Sequence, residues 1–252
     1  MSKSFVRCLI RRQEGPDKKP YWQEFEVEYE QNMNVIILLM KIREKMVDIH
    51  GNTISPIMWE ASCLEQVCGS CTMVINGVPR QACSTLVDKL SEPIVIEPLS
   101  KFPVVKDLVV DRKRMFETLK KVRAWVDIEG THDLGPGPKY SQELQQIRYV
   151  LSRCMTCGAC LEACPQYNSV TNFAGPFAIA QTHLFNLHPT GSFYKDKRIA
   201  YMASKEGIAN CSNAQLCVQV CPKEITITEA IAEVNAEVTK YLINLALGAK
   251  SR

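Results

Sequence analysis

The chain has 252 residues, a formal net charge of +3 and 46% hydrophobic residues, enough to bury a core and too apolar for a disordered chain. Charged residues make up 23% and form neither an acidic tail nor a concentrated basic patch, so no nucleic-acid partner is expected. Twelve cysteines, about two to three times an ordinary share, need a physical explanation.

Disulfide frameworks belong to small secreted domains that cannot build a core. The stretch from Met1 to Gly15 has no apolar run long enough for a signal peptide. The longest apolar run, Val35-Ile36-Ile37-Leu38-Leu39-Met40, is far too short to span a bilayer. The expectation is a soluble polypeptide made in a reducing compartment, with its clustered cysteines serving as metal ligands or redox groups.

Phe5 to Arg12 and Trp22 to Glu30 alternate loosely and read as strands, with the turn-forming Glu14-Gly15-Pro16-Asp17 between them. Asn34 is placed to cap a helix over Val35 to Met46. Thr72-Met73-Val74-Ile75, Asn76-Gly77 and Val78-Pro79-Arg80-Gln81 read as a hairpin, Asn-Gly being the strongest short turn signal. Ile94-Val95-Ile96-Glu97 is a short strand bounded by prolines. Together these fit a small α+β domain. Asp107 to Val126 has helical periodicity, with Leu108, Met115, Leu119, Val122 and Val126 near one face. Its lysines and arginines read as a solvated face. Gly135-Pro136-Gly137-Pro138 breaks the chain, and from Tyr140 onward the pattern is mostly helical, ending in a helix over Thr228 to Leu247.

The cysteines fall into groups. Cys63, Cys68, Cys71 and Cys83 have the spacing C-x4-C-x2-C-x11-C, the plant-type signature of a [2Fe–2S] centre. Three ligands lie on one loop, and the Asn76-Gly77 hairpin returns the fourth, Cys83, to it. Gly69 lets backbone amides approach the cluster, and such hydrogen bonds help set its potential. A four-thiolate zinc site is the alternative, but zinc favours paired C-x2-C knuckles and this group contains one.

Cys154, Cys157, Cys160 and Cys164, followed by Pro165, match the bacterial ferredoxin run C-x2-C-x2-C-x3-C-P. The same offsets recur from Cys211 through Cys217 to Cys221-Pro222, with Ala214 where the second cysteine should stand. In two-cluster proteins the fourth cysteine of each run binds the other cluster. Cross-ligation therefore gives Cys154, Cys157, Cys160 and Cys221 to a complete [4Fe–4S] centre. It leaves Cys164, Cys211 and Cys217 for a centre with one ligand missing. The natural product is [3Fe–4S]. The alternative is a [4Fe–4S] centre whose fourth iron carries water or another side chain.

No dinucleotide fingerprint or P-loop is present, and His50, His132, His183 and His188 have no spacing that suggests a nucleophile. No catalytic residue is assigned to this chain. Cys8 reads as a small buried hydrophobe in a strand. Three clusters in one small chain suggest a wire between reaction partners.

The cluster order resembles the iron–sulfur subunits of succinate dehydrogenase and fumarate reductase, the family of respiratory complex II. The phrases Cys63-Leu64-Glu65-Gln66-Val67-Cys68-Gly69-Ser70-Cys71, Phe102-Pro103-Val104-Val105-Lys106-Asp107-Leu108, Cys154-Met155-Thr156-Cys157-Gly158 and Leu184-Phe185-Asn186-Leu187-His188-Pro189-Thr190-Gly191 carry the resemblance. The first and last resemble the Gram-positive form. The resemblance implies a fold and domain plan. A plant-type ferredoxin (β-grasp) domain spans residues 1–106, a connector helix with a Gly/Pro loop spans 107–139, and an all-α bacterial-ferredoxin-like domain spans 140–252.

It also implies a mechanism. Succinate is oxidised at FAD on a flavoprotein subunit. Electrons pass through [2Fe–2S], [4Fe–4S] and [3Fe–4S] to haem b or quinone in a membrane-anchor cytochrome b subunit. That anchor is expected to be di-haem and the quinone menaquinone. The chain would be peripheral on the cytoplasmic face of the bacterial plasma membrane, in the succinate oxidation step of the tricarboxylic acid cycle. The alternative is the same subunit in a quinol:fumarate reductase. Quinone-site residues stay unassigned. Pro165 matches the ubiquinone-reducing relatives, but Gln166-Tyr167-Asn168-Ser169 lacks their tryptophan and Ser212 stands where their histidine would be. A haem relay, or a quinone site built mainly by the anchor, fits these departures.

Overall fold

The computed structural model describes residues 4–126 and 140–248. The Gly135–Pro138 break and His132 lie outside the described residues. The chain divides into two compact units. The first comprises residues 1–112 and 155–163, the second residues 113–154 and 164–252.

The first unit is built on a five-stranded sheet of order β2-β1-β5-β3-β4. Its strands are β1 (Phe5–Arg12), β2 (Tyr21–Glu28), β3 (Thr72–Ile75), β4 (Val78–Gln81) and β5 (Ile94–Glu97). β1 pairs antiparallel with β2 and parallel with β5, and β3 pairs antiparallel with β4 and β5. The expected hairpin forms with Ile75 opposite Val78, and Asn76 and Gly77 take the left-handed conformation its two-residue turn requires. One face of β1 (Val6, Cys8 and Ile10) is fully buried. Against it packs α1 (Val35–Lys45), which buries Val35, Leu38, Leu39 and Ile42. Cys8 lies within this core as expected, and burial raises its thiol pKa far above the usual range.

The helix expected over Asp107–Val126 is shorter than its periodicity suggests. Val104–Lys106 and Val109–Val110 form a two-stranded ribbon, β6 and β7. Asp107, with φ +48°, makes the turn between them, and only Lys113–Lys121 is helical (α2). A buried ion pair overrides the local pattern. Arg12 Nε donates to Asp107 Oδ1 at 2.8 Å, with both side chains fully buried. Asp107 also accepts the backbone amides of Gln13 and Met58 at 3.2 and 3.0 Å. A helix through Asp107 would forfeit this satisfied buried network.

The first unit also contains α4 (Ala159–Ala163), which leads on from the Met155–Gly158 loop. Glu162 fixes it by accepting Ser100 Oγ at 2.5 Å and the Lys101 amide at 3.0 Å. The sequence places this segment in the domain over 140–252, whereas by packing it belongs to the first unit.

The second unit is helical: α2, α3 (Gln142–Ser152), α5 (Pro176–Asn186), α6 (Lys195–Met202), the short α7 (Leu216–Gln219) and α8 (Ile227–Ala246). α5 is buried along most of its length. α8 packs on it through Ala230, Val234 and Val238, four residues apart and therefore on one face. Buried Arg198 ties loops to this core, donating to the carbonyls of Gly191, Arg123 and Trp125 at 2.7, 3.1 and 3.2 Å. Among the described residues, no helix is long and apolar enough to cross a membrane.

Candidate cluster-binding sites

The loop carrying Cys63, Cys68 and Cys71 is irregular because its backbone turns inward repeatedly. Leu64, Gln66 and Gly69 have φ values of +60°, +56° and +76°, a pattern that points successive amides into one concavity. The Cys63 sulfur accepts the amides of Glu65, Val67 and Cys68 at 3.4, 3.3 and 3.3 Å. The Cys68 sulfur lies 3.1 Å from Ser70 Oγ. That contact, followed by backbone amides, lowers the Cys68 thiol pKa to about 6.

Cys83 reaches the loop as the spacing suggests. Ala82 N donates to Cys71 O at 3.1 Å, closing the hairpin end onto the loop. Asn34 holds Cys83 from the other side. Its Oδ1 caps α1 by accepting Ile37 N at 2.9 Å, while its Nδ2 donates to Cys83 O at 2.9 Å. The helix start thus positions the fourth thiol. Burial pushes the Cys71 thiol up to about 12 and nearby Cys83 contributes, although backbone amides favour the thiolate. A buried Cys71 thiol that resists ionisation alone suits a cationic iron centre.

Arg112 lies in the stretch whose periodicity predicts a helix, yet it braces this loop. Its Nη1 and Nη2 donate to the carbonyls of Gly69 and Ser70 at 3.2 and 2.8 Å. Neither this role nor Asn34's grip on Cys83 carries a local sequence signal.

In the ferredoxin runs, Cys157 and Cys160 belong to the first unit and Cys154 and Cys221 to the second. Cys164, Cys211 and Cys217, all in the second unit, line one pocket together with Ala214. Pro165, Leu216 and Ile231 supply apolar walls. Burial pushes the Cys217 thiol up to about 11, and the adjacent Cys164 and Cys211 add to the shift. The loop around Ala214 keeps the backbone of a ligand loop. Asn213 and Gln215 have φ values of +55° and +59°. Thr156 and Gly158, which flank Cys157 at the equivalent positions, have +49° and +87°. The repeat read from cysteine spacing is therefore also a repeat of conformation, with a methyl group replacing one thiol.

Among the described residues, no three His, Cys, Asp or Glu side chains converge on a point as a single metal ion requires. Zinc would draw four sulfurs to about 2.3 Å from one centre. An iron–sulfur cluster binds its cysteines at separate irons and needs a wider cage. The donor set is all thiol, and in the first loop amides turn inward onto it. It fits iron–sulfur clusters and defines the chain as an iron–sulfur electron carrier.

Comparison with known proteins agrees. Residues 7–117 match the family described as a 2Fe-2S iron-sulfur cluster binding domain, and residues 150–225 match the 4Fe-4S dicluster domain. The chain is 51% identical to the succinate dehydrogenase iron-sulfur subunit of Bacillus subtilis, over 92% of each chain. It is 31% identical to the fumarate reductase iron-sulfur subunit of Haemophilus influenzae, over 94% of each. Its fold is similar to a chain of the Mycobacterium smegmatis Sdh1 complex in the apo form, with a TM-score of 0.79 and 22% identity, covering 95% of this chain and 98% of that one. The chain belongs to the family of succinate dehydrogenase and fumarate reductase iron–sulfur subunits. Its matched domains are those of 2Fe-2S and 4Fe-4S dicluster binding, and within that family it is the electron-transfer subunit rather than the one that holds succinate.

Proposed function

We propose that Cys63, Cys68, Cys71 and Cys83 hold the [2Fe–2S] centre, that Cys154, Cys157, Cys160 and Cys221 hold [4Fe–4S], and that Cys164, Cys211 and Cys217 hold [3Fe–4S]. The observation that carries this reading is the pocket shared by Cys164, Cys211, Cys217 and Ala214. Three thiols and a methyl group suit a cube that lacks one iron corner. When bound, the clusters supply one-electron redox chemistry.

The chain's own residues set the terms of that chemistry. Amides of residues 65, 67 and 68 and the Ser70 hydroxyl stabilise negative charge on cysteine sulfur. Leu216 and Ile231 give the three-cysteine pocket an apolar lining. Electrons leave succinate at the flavoprotein's FAD and reach a di-haem cytochrome b anchor and menaquinone, with the chain peripheral on the cytoplasmic face. Support comes from the 51% identical Bacillus subtilis relative and from Ser212, which stands where ubiquinone-reducing relatives have histidine.

The purified complex tests this reading. Its reduced spectrum should show b-type haem, and succinate should reduce a menaquinone analogue. A complex without haem that prefers ubiquinone would contradict the anchor assignment. The same wiring serves quinol:fumarate reduction. Fumarate reduction outpacing succinate oxidation, at a measured quinone potential, would move the chain to that role.

A further inference from the structure

Gly69 stands apart from the other glycines of the cluster loops. It lies between two cysteines of the first loop, and a Cβ built on it would sit 2.8 Å from Cys157 Cβ, 2.9 Å from Cys157 Cα and 3.0 Å from the Met155 carbonyl. Real side chains essentially never come so close. The backbone of the first cysteine loop therefore rests directly on a cysteine of the second group, inside one compact unit. The contact is enforced from behind. Gly69 O accepts Thr72 Oγ1 at 2.7 Å and Arg112 Nη1 at 3.2 Å, and Ser70 O accepts Arg112 Nη2 at 2.8 Å.

The geometry points to the Gly69–Cys157 contact as the electron junction between the [2Fe–2S] and [4Fe–4S] centres, with Arg112 and Thr72 as positioning residues that keep it closed. This rests on the ligand assignment proposed above, in which Cys68 and Cys71 flank Gly69 on one side and Cys157 binds iron on the other. Tunnelling through bonded or touching atoms is far more efficient than across a gap. A glycine backbone pressed on a ligand cysteine gives a short, closely packed path between them. In each transfer the [2Fe–2S] centre is oxidised by one electron and the [4Fe–4S] centre reduced by one. No bond breaks and no proton moves. Glycine is required twice, for its positive φ of +76° and for the missing Cβ.

The test uses the intact complex and electron paramagnetic resonance. In the wild-type protein, reducing the [4Fe–4S] centre should make the [2Fe–2S] signal harder to saturate with microwave power, because the two spins are close. In Gly69→Ala that effect should weaken, and after rapid mixing with succinate the loss of the [3Fe–4S] signal should slow several-fold while the [2Fe–2S] centre is still reduced at the normal rate. Arg112→Gln, which loosens the loop without adding an atom, should shift both readings the same way by less, and it carries the test if Gly69→Ala fails to assemble its cluster. Wild-type saturation that ignores the state of the [4Fe–4S] centre would overturn the junction. So would an assembled variant in which neither reading moves. A wild-type complex lacking either signal would instead sink the ligand assignment.

Discussion

The Ser70 hydroxyl lies 3.1 Å from the Cys68 sulfur, two residues away on the same loop. With Cys68 bound to iron as thiolate, only the hydroxyl has a proton to give, so Ser70 donates. Such a bond favours the reduced, more negative cluster. Ser70→Ala should lower the [2Fe–2S] midpoint potential by on the order of tens of millivolts, since a hydrogen bond is worth about 1 kcal/mol net and 59 mV is a tenfold change for one electron. Redox titration followed by electron paramagnetic resonance reads the shift. An unchanged potential with the cluster intact would show that the contact does not tune it.

Arg12 and Asp107 hold the end of β1 to the β6–β7 turn, with both side chains fully buried. Removing one partner leaves the other charged and desolvated. Asp107→Ala should destabilise the first unit by about 3–5 kcal/mol, seen as thermal loss of the [2Fe–2S] absorbance at a lower temperature. The paired change Arg12→Met with Asp107→Leu should cost less than Asp107→Ala alone. Equal losses would mean that packing, not the charge, is at stake.

Much of this architecture is legible in the sequence, and the exceptions share a cause. The strand Phe5–Arg12, the Thr72–Gln81 hairpin and the cap at Asn34 follow from short-range rules of alternation, turn chemistry and capping. The cysteine groups are legible because thiol ligation imposes discrete spacings. The stretch after Lys106 is not, because its conformation is set by Arg12, 95 positions earlier. A periodicity of leucine and valine cannot register that partner. Arg112 escapes for the same reason. A basic residue near a helix reads as solvated, yet its guanidinium folds back 42 and 43 positions to two loop carbonyls. Nor does local pattern disclose that residues 155–163 pack with the first unit.

Ala214 sits in a ligand-type loop without a ligand atom. Ala214→Cys should supply the fourth thiolate and convert [3Fe–4S] to [4Fe–4S], with a lower potential. The oxidised-state [3Fe–4S] resonance should disappear and a reduced-state [4Fe–4S] resonance should replace it. Persistence of the original signal would mean that position 214 does not face the missing corner.

His183 on α5 is buried, and its Nδ1 has no hydrogen-bond partner. Burial lowers its pKa and Lys195 acts in the same direction, opposed by Glu237 and Glu233. The unfolded chain therefore binds more protons than the folded one just below the ordinary histidine value of about 6.5. Stability should fall as pH drops through that value and be restored above it. His183→Gln should flatten this dependence in thermal unfolding measured across mildly acidic pH. A variant with the wild-type slope would assign the dependence to another group.

The electron path through the chain depends on which clusters the cysteines hold. Iron, acid-labile sulfide and electron paramagnetic resonance on the intact complex decide it together. The prediction is one [2Fe–2S] and one [4Fe–4S] centre visible on reduction, with one [3Fe–4S] centre visible on oxidation. Zinc without iron or sulfide, or two [4Fe–4S] centres with no [3Fe–4S] signal, would contradict it.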